Sequence, residues 1–123
     1  AGREFSLDIS TQDKLWCGTD GDVYARLVGT GSHGTGMVFG PWRHLNSAND
    51  DFETGDKDTY SYSASKDLVP KKVCLKQIGG DEWCPEKVVV KNPNAQSGQD
   101  RVGEAKGFGR CGESCREICR AIN

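Results

Sequence analysis

Hydrophobic residues along this chain recur mainly at every second position, in short runs. Phe5, Leu7 and Ile9 alternate with polar residues in "EFSLDIS"; Val23, Ala25 and Leu27 do so in "DVYARLVG"; Tyr60 and Tyr62 do so in "TYSYSAS". Successive side chains of an extended backbone point to opposite faces, so a period of two marks strands with one buried face rather than helices. Further strand-forming runs stand at "GMVFGPW", "KKVCLKQI" and "EKVVVKN". Glycine and polar clusters separate these runs every ~8–12 residues, the spacing of a sandwich or barrel. The pattern predicts an all-β fold, an antiparallel β-sandwich over residues 1–92.

Beyond "VVVKN" the alternation stops. "NPNAQSGQDRVGEAKGFGR" is polar and glycine-rich, with little to bury, and reads as a linker or a long surface excursion. It leads into "RCGESCREICRAIN", where Cys111, Cys115 and Cys119 fall four residues apart. In a helix that spacing puts all three sulfurs near one face, although Gly112 weakens a helix there. The expected organisation is a sandwich over 1–92 and a cysteine-rich extension over 93–123, its short helical tail packed on the sandwich and stapled to it.

Length and charge narrow the class. A chain of 123 residues makes one domain with a modest core. Its formal net charge of −2 provides no basic field for nucleic acid, which is excluded as a partner. No run approaches the roughly 20 apolar residues of a transmembrane helix. The opening "AGREFSLDIS" has neither methionine nor an apolar leader, as expected of a processed mature protein. Six cysteines (Cys17, Cys74, Cys84, Cys111, Cys115, Cys119) suit three disulfides and therefore a secreted, extracellular protein. The count leaves the pairing open among about fifteen connectivities. A zinc site built from the tail thiols is the alternative, but Cys-x₃-Cys-x₃-Cys lacks a second, distant pair.

Two motifs imitate chemistry. "GTGSHG" at residues 29–34 fits the letters of a dinucleotide-binding loop, with Asp50 about twenty residues on. That loop needs a helix after it, whereas "TGMVFGPW" is rich in strand formers and contains Pro41, so the segment reads as a connection between strands. His33 and His44 are the only histidines, and no nucleophile elbow accompanies them. No enzymatic activity is expected.

The acidic run is more informative. "NDDFETGDKD", residues 49–58, holds five carboxylates in ten positions: Asp50, Asp51, Glu53, Asp56 and Asp58. Such crowding persists in a fold only when water screens it, a basic surface pairs it or a cation binds it. The spacing is not that of an EF-hand, but the donors are all oxygen, as a hard cation requires. A second oxygen-rich loop stands at "CGTDGDVY", where Gly18 and Gly21 flank Asp20 beside Asp22. The two loops either coordinate calcium between them or form a pair of solvated turns.

Three blocks, in order, carry a family resemblance. "CGTDGDVYARLVG", "NDDFETGDKDTYSY" and "DLVPKKVCLKQIGGDEWCPEKVVVKN" resemble the corresponding stretches of PLAT domains, the lipoxygenase-homology sandwiches of lipoxygenases, lipases and polycystins, over about residues 3–92. The resemblance implies a sandwich of two four-stranded sheets that binds calcium in loops at one end and docks onto membranes or proteins. It implies Ca²⁺ ligands at Gly18 (through its carbonyl), Asp20, Asn49, Asp51, Glu53 and Asp58, with Phe52 in the core. The tail from Asn94 on has no counterpart in the family.

The family arrangement also brings the two "WC" dipeptides together. It implies a Cys17–Cys84 bridge that clamps the first calcium loop and keeps Trp16 and Trp83 nearby as membrane-contact residues, unless the indoles pack into the sandwich. The implied function is a secreted, calcium-conditioned module that docks on lipid membranes, a venom or defence component. The alternative is a calcium-stabilised domain that binds a protein receptor without lipid. Lys66, Lys71, Lys72 and Lys76 either add attraction to an anionic surface or are simply solvated.

Overall fold

The alternating runs become strands with their apolar rows inward. The computed structural model describes residues 3–11, 22–31, 36–45, 57–64, 68–78, 83–92, 101–108 and 117–123. Among these, "EFSLDIS" lies in β1 (Arg3–Thr11), "DVYARLVG" in β2 (Asp22–Gly31) and the tyrosine run in β5 (Lys57–Ala64). Short strands β3 (Met37–Phe39) and β4 (Arg43–Leu45) lie between β2 and β5 in sequence. Then follow β6 (Leu68–Ile78), β7 (Pro85–Lys91), β8 (Arg101–Lys106) and β9 (Ile118–Ala121). Phe5, Leu7, Ile9, Val23, Ala25 and Leu27 are fully buried, joined by Tyr62, Leu75, Val88 and Val90 from the later strands.

Two antiparallel sheets enclose this core. One has the order β5-β1-β7-β8; the other runs β3-β2-β6-β9, with β4 also paired to β2. The sheets therefore hold four and five strands instead of the expected four and four. The extra strand comes from one interrupted edge. β3 pairs with Val28–Thr30 and β4 with Val23–Ala25, while β6 occupies the opposite edge of β2 along its whole length. Between β3 and β4 stands Pro41, which has no N–H to give a ladder. The backbone turns in there: the Gly40 N–H donates to the Leu27 carbonyl at 2.8 Å.

A bulge shapes the middle of the second sheet. Val28 pairs with Lys72 and Gly29 with Pro70, which leaves Lys71 as the extra residue. Gly29 is required at this point, since a Cβ there would fall 1.8 Å from the Val69 carbonyl oxygen. The bulge breaks the alternation of β6, and Lys71 and Lys72 are both exposed.

The C-terminal part departs from the sequence expectation twice. The polar stretch taken as a linker contains β8, which extends the first sheet by pairing with β7, and Ala105 and Phe108 are buried. Its stability comes from the main-chain ladder that β7 offers, and a ladder leaves little trace in hydrophobicity. The expected tail helix is also corrected: the described tail residues form β9, an edge strand on β6 with Cys119 opposite Cys74. Beyond residue 92, β8 therefore belongs to one sheet and β9 to the other. The chain end ties them together, with Asn123 and Glu104 exchanging backbone hydrogen bonds of 2.9 and 3.0 Å.

Candidate functional site

The topology gathers three connections at one end of the sandwich. Residues 12–21 join Thr11 of β1 to Asp22 of β2; residues 46–56 join Leu45 of β4 to Lys57 of β5; residues 79–82 follow Ile78 of β6. The registers Ser10↔Lys57, Val23↔Leu45, Asp22↔Ile78 and Thr11↔Pro85 put these strand ends side by side. The segment holding Gly18 and Asp20 and the segment holding Asn49, Asp51 and Glu53 therefore spring from neighbouring strand ends. Those five residues, together with Trp16, Cys17, Cys111 and Cys115, lie outside the described residues.

Asp58 is the expected ligand that the described residues include. It is half-buried near the start of β5, opposite Ile9 and in the same alternating row as the inward-facing Tyr60 and Tyr62. That row puts its carboxylate at the rim of the inter-sheet space, at the end where both acidic loops begin. An oxygen donor so placed suits a hard cation held between the loops.

Two further carboxylates near this end make side-chain contacts. Asp22 accepts from His44, Nε2 to Oδ1 3.1 Å, and the His44 ring lies 4.9 Å from that of Tyr24. Both members of this pair are exposed, so its contribution to stability is small. Asp8 is buried on β1 and held by Lys91 Nζ at 3.1 Å and by the Thr59 hydroxyl at 2.8 Å.

Trp83 is corrected from a membrane-contact residue to a core residue. It is fully buried, and its indole N–H donates to Thr11 Oγ1 at 3.0 Å. A large apolar ring whose one polar atom finds a partner inside the fold gains nothing from facing lipid. Its role is positional, since it pins the start of β7 to the end of β1, where residues 12–21 depart.

The cysteines are structural where described. Cys74 and Cys119 form a cross-strand disulfide, and Cys84 is buried and disulfide-bonded. Cys119 thus has no thiolate to give, which removes the zinc site built from the three tail thiols. Among the described residues, Cys74, Glu117 and Cys119 come together with metal-ligand chemistry, but the two sulfurs are bonded to each other.

The sequence reading passed over Trp42. This residue lies on the outer face of the five-stranded sheet, outside the core. The Arg26 guanidinium sits 4.7 Å and the Lys76 ammonium 4.4 Å from its ring. The available signal was parity: Trp42 and His44 alternate with Leu45, which faces inward, so Trp42 belongs to the outward row.

Comparison with known proteins agrees with this architecture. Residues 5–100 match the family model of the PLAT/LH2 domain, and the chain belongs to that family. Among solved structures it is similar to a coral 8R-lipoxygenase described as calcium-activated via a C2-like domain, with TM-score 0.74 and 22% identity over 98% of this chain and 17% of that one. It is similar also to the alpha-toxin of an avian strain of Clostridium perfringens, with TM-score 0.69 and 18% identity over 99% of this chain and 31% of the toxin. A calcium-dependent 11R-lipoxygenase gives TM-score 0.62 and 22% identity over 97% of this chain and 17% of the enzyme. The chain thus spans less than a third of each of these proteins, and the likeness is one of fold. No curated protein matches the chain.

Proposed function

We propose that this chain is a calcium-conditioned docking module whose loop end seats on an anionic lipid surface. The observation that carries this reading is the anchoring of two oxygen-rich loops at neighbouring strand ends, with Asp58 at the rim between them. Gly18, Asp20, Asn49, Asp51, Glu53 and Asp58 are the proposed ligands. The donor set is carboxylate, carboxamide and carbonyl oxygen, as Ca²⁺ takes, and the calcium activation described for the coral lipoxygenase supports the assignment.

The electrostatics set the direction of the switch. Without the cation, five carboxylates within residues 49–58 repel an anionic bilayer. Bound Ca²⁺ cancels much of that charge and leaves coordination positions for lipid phosphate, so the same end becomes attractive. Trp16 is the indole proposed to reach headgroup depth. The module acts by binding, without catalysis, as a secreted component of venom or defence, and its disulfides suit an oxidising extracellular setting.

Co-sedimentation with phosphatidylserine–phosphatidylcholine vesicles tests the reading. The protein should pellet in calcium, remain soluble in chelator and lose calcium-dependent pelleting on Asp51→Asn combined with Glu53→Gln. Pelleting that ignores chelator and this variant, or none under any condition, would overturn it.

A further inference from the structure

A second surface is the outer face of the five-stranded sheet. Among the described residues the exposed large hydrophobics are Met37 at 60%, Phe39 at 60%, Ile78 at 55% and Val102 at 39%. The first three belong to this sheet's outward rows. Trp42 lies among them with Arg26 and Lys76 over its ring; Arg26 also lies 5.4 Å from the Phe39 ring, and Lys76 5.2 Å from that of Tyr24. The result is a lattice of cations and aromatic rings laid flat on the sheet.

The charge of this face is opposite to that of the chain. Among the described residues, Glu117 on this face is engaged with Arg26 and Asp22 with His44. Lys71, Lys72 and Lys76 form no ion pair among the described residues. A chain of net charge −2 thus carries a cationic, aromatic surface on one sheet.

Beside the bulge the face is concave. A groove of about 240 Å³ is lined by Val28, Gly29, Thr30, Met37, Lys71 and Lys72. The surface it exposes is apolar, and the two exposed lysines border it. The bulge makes this groove, because it brings two consecutive lysines to the surface while Gly29 keeps the floor low.

We propose that this face binds an acidic protein segment in which an apolar side chain, flanked by carboxylates, inserts into the groove. The apolar floor takes the side chain, and Lys71 and Lys72 take the carboxylates on either side of it. Trp42, Tyr24 and Arg26 are of the types that concentrate binding energy in protein interfaces, and the stacking of Arg26 on Trp42 and of Lys76 on both rings leaves less side-chain freedom to be lost on binding. A bilayer fits less well: it presents no side chain to fill a groove, and the Arg26 and Lys76 charges are drawn down over rings instead of projecting toward phosphates. Thr30 lies eight residues along β2 from Asp22, roughly 26 Å at strand rise, so the groove and the calcium-loop end are separate and can act together.

Fluorescence anisotropy on the full chain in chelator tests the proposal. The probes are labelled hexapeptides of glutamate with one central position set to leucine, isoleucine, phenylalanine, methionine or serine. Saturable binding of at least one apolar-centred peptide is expected, with the serine peptide and the Lys71→Glu/Lys72→Glu variant each roughly tenfold weaker. Both lysines are exposed, so this variant should fold, and the Asp51→Asn/Glu53→Gln variant should bind the peptides normally. That last arm separates this surface from the proposed calcium site. No saturable binding, or affinity indifferent to the central residue or to the lysines, would overturn the proposal. So would calcium-independent, lysine-dependent pelleting with phosphatidylserine vesicles in the absence of peptide binding, which would assign the face to lipid.

Discussion

The Tyr62 hydroxyl donates to the Pro41 carbonyl at 2.7 Å, tying β5 of one sheet to the interrupted edge of the other. The tyrosine is fully buried and its ring fits beneath Gly40, where a Cβ would fall 2.2 Å from the hydroxyl oxygen. The break in the edge strand is therefore also a point where the two sheets are joined. Tyr62→Phe should lower stability by about 1 kcal/mol, the net worth of one such bond.

The same contact gives a pH dependence. Burial raises the Tyr62 phenol above its ordinary value of 10.0. The unfolded phenol therefore releases its proton first, so this contribution is complete below that value and falls as pH rises through it toward the higher folded value. Tyr62→Phe lacks this loss. In urea melts at about pH 8 and about pH 11 the gap between wild type and variant should narrow at the higher pH; an unchanged gap would contradict the assignment.

The Cys74–Cys119 bridge fixes the tail as a strand. It spans 45 residues of sequence and closes a loop that the chain-entropy relation values at roughly 4 kcal/mol. Cys74→Ser with Cys119→Ser should lower the unfolding free energy by about 2–4 kcal/mol. Hydrogen exchange should rise first at 117–123, where Ile122 N–H meets the Lys71 carbonyl and Arg120 Nε–H the Gly107 carbonyl. Protection of the tail unchanged by the double substitution would show that the β6–β9 ladder suffices alone.

Trp83 and Trp42 should report different events. Trp83→Phe removes the indole donor from the buried Thr11 hydroxyl and should cost about 1–3 kcal/mol, read in a denaturant melt. With Trp83 as the sole tryptophan, emission should stay blue and unmoved when calcium and vesicles are added. With Trp42 alone, emission should respond to an acidic apolar-centred peptide. A vesicle-induced shift from Trp83 would mean the loop end opens on docking.

Strands with one buried face were legible because period two is written directly in residues such as Phe5, Leu7 and Ile9. β8 was not, because its inward positions Gly103 and Ala105 are small and carry little hydrophobic signal, and Gly103, Glu104 and Ala105 are held by backbone pairing to Val88–Val90. β9 was misread as a helix because a four-residue cysteine spacing takes no account of the partner strand, and only the register of Cys119 against Cys74 decides it. At the site, residue type marked two oxygen-rich segments, and the topology starts them from adjacent strand ends. Trp83 lies in the core because its indole N–H finds the Thr11 hydroxyl there, a partner distant in sequence, whereas Trp42 lies outside it beneath Arg26 and Lys76.

Calcium should stabilise the fold by mass action if it binds only the native arrangement of the two loops. At a free concentration of about one hundred times Kd the gain is ~2.7 kcal/mol, and each further tenfold adds about 1.4 kcal/mol. Magnesium should do less, since its small shell and strict octahedral geometry suit a loop-built site poorly. Asp58→Asn is the most discriminating substitution, because Asp58 sits on a strand and its effect cannot be absorbed by a change in loop path. It should weaken the calcium-induced rise in melting temperature, each protein being read against its own melting temperature in chelator. A rise of equal size in wild type, Asp58→Asn and Asp51→Asn/Glu53→Gln would mean that calcium acts elsewhere, and no rise at all would leave the acidic loop neutralised by solvent alone.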